Sequence, residues 1–277
     1  MRSGARPKKS LGQNFLVDQN LQRKIVELLG AGASDEVLEI GPGRGALTAH
    51  LAGAVRRLVL VELDDLLADE LVARYAGRSD VQVVHSDVLR VRVSELVEDP
   101  ERLRVVGNIP YNITSPILFH LLRRPRPAQI LLMVQREVAD RLVAAPGTSE
   151  YGALTVGVRT VAAVERVLEV PRQAFRPVPR VDSAVVRIVP MRPPALDAAE
   201  EERLRVLTRA AFQWRRKQMQ KILREHADLA LPREEVDALE RQTRLSLARR
   251  PETFSPEEFV RFSRLLGSRV APGPSTP

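Results

Sequence analysis

Residues Val37-Leu38-Glu39-Ile40-Gly41-Pro42-Gly43-Arg44-Gly45 run from a short apolar strand straight into a glycine-rich turn, and a helical pattern starts near Ala46. Such a handover is characteristic of parallel α/β sheets: the chain must turn sharply, and its backbone must pass close beneath whatever lies above the strand ends. The same rhythm recurs downstream. Glu36–Ile40, Leu58–Val61, Val81–Val84, Arg104–Val106 and Ile130–Val134 are short apolar runs suited to strands buried on both faces, separated by helical stretches. The pattern predicts a doubly wound, mostly parallel α/β sheet. Val164–Val170 and Ser183–Val189, joined by the proline-punctuated loop from Pro171 to Pro179, predict an antiparallel edge. Ahead of the first strand, Leu21, Ile25, Leu28 and Leu29 recur at helical spacing after Asp18, with Gly30 as the cap.

A chain of 277 residues exceeds the usual single domain, and Met191–Pro194 reads as a linker. The expected division is 1–192, the α/β domain, and 193–277, a small all-helical domain. The second part predicts one helix from Glu200 to about His226, another from Arg233 to Arg241, and a last one capped by Ser255, with Pro256 at its first position and Glu258 completing a capping box. Val270 to Pro277, rich in Pro, Gly and Ser, is expected to be disordered. No apolar run is long enough to span a bilayer, and the basic stretch Met1 to Lys9 leads into no signal-like segment, so a cytoplasmic, membrane-free protein is expected.

Cysteine is absent and the four histidines lack ligand spacing, which excludes thiolate chemistry and argues against a bound metal. The net charge of +8 suits a polyanionic partner or a solvated basic surface. The basic residues gather between Arg203 and Arg224, where eight Lys or Arg and no acid share the sequence with the apolar face of Leu204, Leu207, Ala211 and Phe212. Arg215, Arg216, Lys217 and Lys221 are the candidate phosphate contacts.

The glycine loop alone suits either a nicotinamide dinucleotide or S-adenosylmethionine. Glu39, placed to anchor a cationic amino-acid end, favours the second; a solvated strand-end charge is its plainer reading. Glu62 follows Gly41 at the distance where an acid accepts ribose hydroxyls, and Asp87 could accept an adenine amino hydrogen or simply cap a helix. Asn108-Ile109-Pro110-Tyr111 is the most telling segment. An exocyclic adenine amine is a poor nucleophile because its lone pair is delocalised into the ring. An Asn oxygen and the next backbone carbonyl can each accept one N–H and favour a tetrahedral nitrogen, while Tyr111 offers a stacking face to an extruded base. A proline turn ending a buried strand is the alternative.

These segments resemble the ribosomal RNA adenine N6-dimethyltransferases, in particular those of the small subunit. The resemblance covers most of the chain. It rests on Leu11-Gly12-Gln13-Asn14-Phe15-Leu16, the glycine loop, Asn108–Tyr111, Gln135-Arg136-Glu137-Val138-Ala139, Tyr151-Gly152, Phe175 to Ser183, and Phe212-Gln213-Trp214-Arg215-Arg216-Lys217. It implies a class I, Rossmann-like methyltransferase using S-adenosyl-L-methionine, with Gln13, Asn14, Leu16, Glu39, Gly41, Gly43, Glu62, Asp87 and Asn108 around the cofactor. It implies Phe175 as the aromatic packed on the target base opposite Tyr111, and the helical domain as the RNA-binding part. Its implied substrate is a pair of adjacent adenosines in the 3′-terminal hairpin loop of small-subunit RNA in a pre-30S particle, modified by a monomer. The competing readings are a large-subunit adenine dimethyltransferase conferring macrolide resistance, a non-catalytic ribosome-assembly factor, and a nicotinamide oxidoreductase. By itself, Gln13-Asn14 would be an ordinary polar loop and Phe175 a core anchor.

Overall fold

The computed structural model describes residues 13–110 and 113–266. The expectations for Met1 to Lys9, Leu11-Gly12, Tyr111 and Val270 to Pro277 lie outside the described residues. Contacts divide the chain into two compact units, one made of Met1–Ala139 and Val164–Pro190, the other of Asp140–Ala163 and Met191–Pro277. The second cut falls beside the expected linker. The first differs from a single division at 192, because Ala144, Tyr151 and Val156 bury their side chains in the aromatic core of the C-terminal helices.

In the first unit the strands are β1 (Phe15–Leu16), β2 (Glu36–Ile40), β3 (Arg57–Glu62), β4 (Val81–His85), β5 (Arg104–Asn108), β6 (Gln129–Gln135), β7 (Ala162–Val170), β8 (Phe175–Arg176) and β9 (Ser183–Pro190). Seven of them form one sheet in the order β4-β3-β2-β5-β6-β9-β7. Pairings from β4 through β6 are parallel and β6 pairs antiparallel with β9, as the apolar runs imply. Every residue of β2 is buried, as a central strand covered on both faces requires. Gly107 lies beside Ile40 in the parallel register, and a Cβ there would sit 2.7 Å from the Ile40 carbonyl oxygen, so only glycine lets β5 approach β2 this closely. β3 lies on one side of β2 and β5 on the other, and this reversal opens a crevice beyond the carboxyl ends of the strands.

A separate two-stranded pairing joins β1 to β8 antiparallel, with Phe15 opposite Arg176 and Leu16 opposite Phe175. Next comes the helix Gln19–Leu29; the Asp18 side chain accepts from the amides of Asn20 and Leu21, and Gly30 ends it in the left-handed conformation.

The second unit packs the helices Ala153–Arg159, Ala198–Gln213 and Pro256–Leu265 around Tyr151, Phe212, Phe254, Phe259 and Phe262. The Tyr151 hydroxyl donates to the Phe254 carbonyl at 2.7 Å. The Ser255 capping box is present as expected, and Asp197 with Glu200 forms a second. The single helix expected from Glu200 to His226 is instead two, Ala198–Gln213 and Met219–Glu225. The break arises because the Met219 and Gln220 amides donate to the carbonyls of Arg249 and Leu247 rather than to a preceding turn. Among the described residues no helix is long and apolar enough to cross a membrane.

Candidate active site

The crevice in the first unit is a cavity of about 530 Å³ at the ends of β2, β3 and β5. It is lined by all nine residues expected around a cofactor: Gln13, Asn14, Leu16, Glu39, Gly41, Gly43, Glu62, Asp87 and Asn108. Ile109 and Pro110 line it as well. Residues drawn from four strand ends and the N-terminal segment therefore converge on one space.

Glu39 is almost completely enclosed, and its carboxylate accepts from the Thr48 hydroxyl at 2.7 Å. Burial pushes its pKa up to about 7; the Thr48 hydrogen bond opposes the shift and the Glu62 charge adds to it. Glu62 is buried too, and one carboxylate oxygen accepts the Gly43 amide at 2.9 Å while the other accepts the Asp64 amide at 2.9 Å. Burial again raises its pKa, against those backbone donors. Two buried carboxylates facing one cavity favour a ligand that brings positive charge and hydroxyl donors. Glu39 is thus no solvated strand-end charge. The capping reading of Asp87 holds, since its side chain accepts the Leu89 amide at the short turn Val88–Arg90, and the residue also lines the cavity.

Asn108 ends β5 and donates from Nδ2 to the Asn14 carbonyl at 2.9 Å. That bond fixes which end of the amide is nitrogen, and leaves Oδ1 as the acceptor for a ligand N–H. Gly43, at φ +58°, passes directly under the Phe15 ring, where a Cβ would come within 3.2 Å of ring carbons. The Arg44 guanidinium lies over the same ring at 4.7 Å.

Two expectations need correction. Phe175 is fully buried in the core with Leu16, Val106, Met133 and Val185, and is absent from the cavity lining. Its ring has no open face for a base; it anchors the loop that carries Arg176 into the lining. Arg215, expected to contact phosphate, is spent within its own unit, donating to Glu252 at 3.1 Å and to the carbonyls of Ser149 and Thr148 at 2.9 and 3.0 Å. Lys221 is exposed and sits 3.7 Å from Glu225. Arg216 and Lys217 are exposed on the turn between the two helices. Several acids just outside the expected basic helix also neutralise its cations, as with Arg209 and Asp228 at 3.0 Å.

Sequence reasoning missed Phe15, Thr48, Asp64 and Gln22. Asp64 was the most accessible of these, since an Asp before the helix Asp65–Tyr75 is a standard capping signal. The partnership of Thr48 with Glu39 depends on the crossover geometry and leaves no local mark. Among the described residues there is no cluster of His, Asp or Glu that could hold a metal ion.

Comparison with known proteins gives a consistent picture. The family model described as ribosomal RNA adenine dimethylase matches residues 4–266. A ribosomal RNA small subunit methyltransferase A of Prosthecochloris aestuarii is 45% identical over 266 residues, covering 96% of this chain and 94% of its own. The protein of that name from Geobacter metallireducens is 40% identical over 266 residues, covering 95% and 96%. Among solved structures, a dimethyladenosine transferase from Plasmodium falciparum superposes with a TM-score of 0.77 at 27% identity, over 90% of this chain and 95% of that one. The 23S rRNA methyltransferase ErmE superposes at 0.69 with 31% identity, over 91% and 99%.

Proposed function

Since the chain belongs to the ribosomal RNA adenine dimethylase family, we propose that it dimethylates the N6 amines of two adjacent adenosines in the 3′-terminal hairpin loop of small-subunit ribosomal RNA, using S-adenosyl-L-methionine. The observation that carries this reading is the Asn108 amide, its nitrogen tied to Asn14 and its oxygen left to accept, at the edge of a cavity lined by a glycine loop and two buried carboxylates. The residues present fit the cofactor. Glu39 would hold its ammonium end, Glu62 its ribose hydroxyls and Asp87 its adenine amine, while Gly43 keeps the loop low enough for close approach. Bound there, S-adenosylmethionine supplies an electrophilic methyl group on a sulfonium.

What the protein adds is position. Asn108 Oδ1 and the Ile109 carbonyl each accept one N–H of the target amine, drawing its lone pair out of conjugation and toward the methyl. Tyr111 presents the stacking face. The amine proton leaves after the new C–N bond forms, so no strong base is needed. A cytoplasmic pre-30S particle is the proposed setting. Relatives with 40–45% identity over nearly the whole chain carry the small-subunit name, which favours that subunit over the one modified by ErmE. The intact Asn108–Tyr111 segment speaks against a non-catalytic assembly factor. Incubating purified, unmodified small and large subunits separately with methyl-labelled S-adenosylmethionine tests the reading: label should enter small-subunit RNA, and label only in large-subunit RNA would overturn it.

Glu39 makes cofactor binding pH-dependent. Its carboxyl is neutral below about 7 in the empty protein, and a cationic ligand favours the charged form. Affinity for S-adenosylmethionine should therefore fall as pH drops through 7, by up to about ten-fold per unit, with a proton released on binding. Stability runs the other way. The folded protein holds this proton more tightly than the unfolded chain, so the contribution is full below 4.5 and is lost as pH rises toward 7. Glu39→Gln should bind weakly with a flat pH profile and, without cofactor, be more stable than wild type at pH 8. Calorimetry in buffers of differing ionisation heat reads the proton release; none in wild type would refute the assignment.

The exposed pair Arg216 and Lys217 is the proposed phosphate contact in the second unit. Replacing both with alanine should reduce the slope of log K against log salt by about 0.7–0.9 per lost contact, with cofactor affinity unchanged. Arg215→Ala should instead lower stability, because it releases Thr148, Ser149 and Glu252. A large change in salt slope for Arg215→Ala with an unchanged Tm would restore it as an RNA contact.

A further inference from the structure

A primary amide is nearly symmetric in shape, so an Asn side chain turned by half a rotation fits the same space with donor and acceptor exchanged. At Asn108 the wrong orientation would aim an NH2 at the NH2 of the target base. The orientation is set by one bond, from Nδ2 to the Asn14 carbonyl. What fixes the Asn14 carbonyl therefore matters to the chemistry.

The segment from Gln13 to Val17 is fastened at four points. Gln13 Nε2 donates to Asp64 at 3.0 Å, and the Phe15 ring lies on Gly43 beneath the Arg44 guanidinium. The Val17 amide donates to the Ala174 carbonyl at 2.8 Å, continuing the pairing of β1 with β8. Gln22, buried on the first helix, donates from Nε2 to the Leu16 carbonyl at 2.9 Å, with its Oε1 3.3 Å from His50 Nε2. Gln22 also lines the cavity, and the proposed chemistry assigns it no role there; its bond to the Leu16 carbonyl ties the segment to the helix.

We infer that the Gln13–Val17 segment is the positioning element that selects the productive amide orientation of Asn108, and that Gln22 is a positioning residue acting through it. This rests on the proposed reading of Asn108 as acceptor for the target amine. The amide-exchange readout does not depend on activity, so its failure is distinguishable from failure of that reading.

The chain contains only the asparagines Asn14, Asn20, Asn108 and Asn112, so selective 15N-asparagine labelling gives few side-chain amide pairs, and the Asn108 pair is the one missing in Asn108→Ala. In the wild-type protein without RNA, one Nδ2 proton of Asn108 should exchange slowly with solvent. In Gln22→Met, which keeps the bulk and removes both hydrogen bonds, that proton should exchange about ten-fold faster, the weight of one hydrogen bond. Single-turnover methyl transfer at saturating cofactor and RNA should fall by a similar factor. Gln13→Ala, which removes the bond to Asp64 at the other end of the segment and leaves the helix untouched, should act in the same direction if Gln22→Met folds poorly. An Asn108 amide whose exchange is unchanged in folded Gln22→Met, or in Gln13→Ala, would overturn the inference, as would faster exchange with no loss of transfer rate.

Discussion

Asn108→Ala should abolish methyl transfer in a protein that still folds. The side chain sits at the end of β5, half-buried, and contributes one hydrogen bond to the rest of the protein, so its removal costs little stability. Its oxygen, in contrast, is the proposed acceptor for the target amine, and loss of a preorganised polar group at a reacting atom costs about a hundred- to a thousand-fold in rate. The Asn14 carbonyl loses its donor in the same variant, so cofactor affinity should weaken modestly as well. Tyr111→Phe is the informative comparison. It keeps an aromatic face and should retain most activity, measured as label transferred from S-adenosylmethionine. If Tyr111→Phe were as inactive as Asn108→Ala, the phenol hydroxyl would have a chemical task that positioning and stacking do not include.

Phe175→Ala should behave quite differently, as a folding lesion. The ring is fully buried among Leu16, Val106, Met133 and Val185. Truncating an aromatic in such a site costs about 3–5 kcal/mol, or roughly 6–20 °C in Tm for a unit of this size. Because Leu16 pairs with Phe175 across β1 and β8, the N-terminal segment should loosen with it and cofactor affinity should fall. Phe175→Leu should recover most of the stability and most of the activity. A Phe175→Ala protein with unchanged Tm and cofactor affinity but reduced methyl transfer would instead show that this side chain leaves the core to stack on the base.

The parallel sheet and its site were largely legible because they are written locally. Apolar runs such as Glu36–Ile40 coincide with β2, and Gly41, Gly43, Glu62, Asp87 and Asn108 each lie at or just beyond a strand end, where the topology of a doubly wound sheet must bring them together. Properties set by tertiary partners were not legible. Nothing around Phe175 distinguishes a ring that packs inward from one that faces a crevice. Arg215 reads as one of three consecutive cations, yet its contacts with Thr148, Ser149 and Glu252 lie far away in sequence. The division of the chain by contacts differs from the expected one for the same reason: Asp140–Ala163 has no linker at either end, and the burial of Ala144, Tyr151 and Val156 among the C-terminal helices assigns it to their unit. The break after Gln213 likewise depends on the carbonyls of Leu247 and Arg249.

Which RNA is modified, and where, is read by mass-spectrometric mapping of methylated adenosines. Small subunits lacking the modification would be incubated with the protein and S-adenosylmethionine, and their RNA digested and sequenced by mass. The expected result is N6,N6-dimethyladenosine at two neighbouring positions near the 3′ end, absent when Asn108→Ala replaces the wild-type protein. Small-subunit RNA left unmodified while large-subunit RNA gains dimethyladenosine would contradict it.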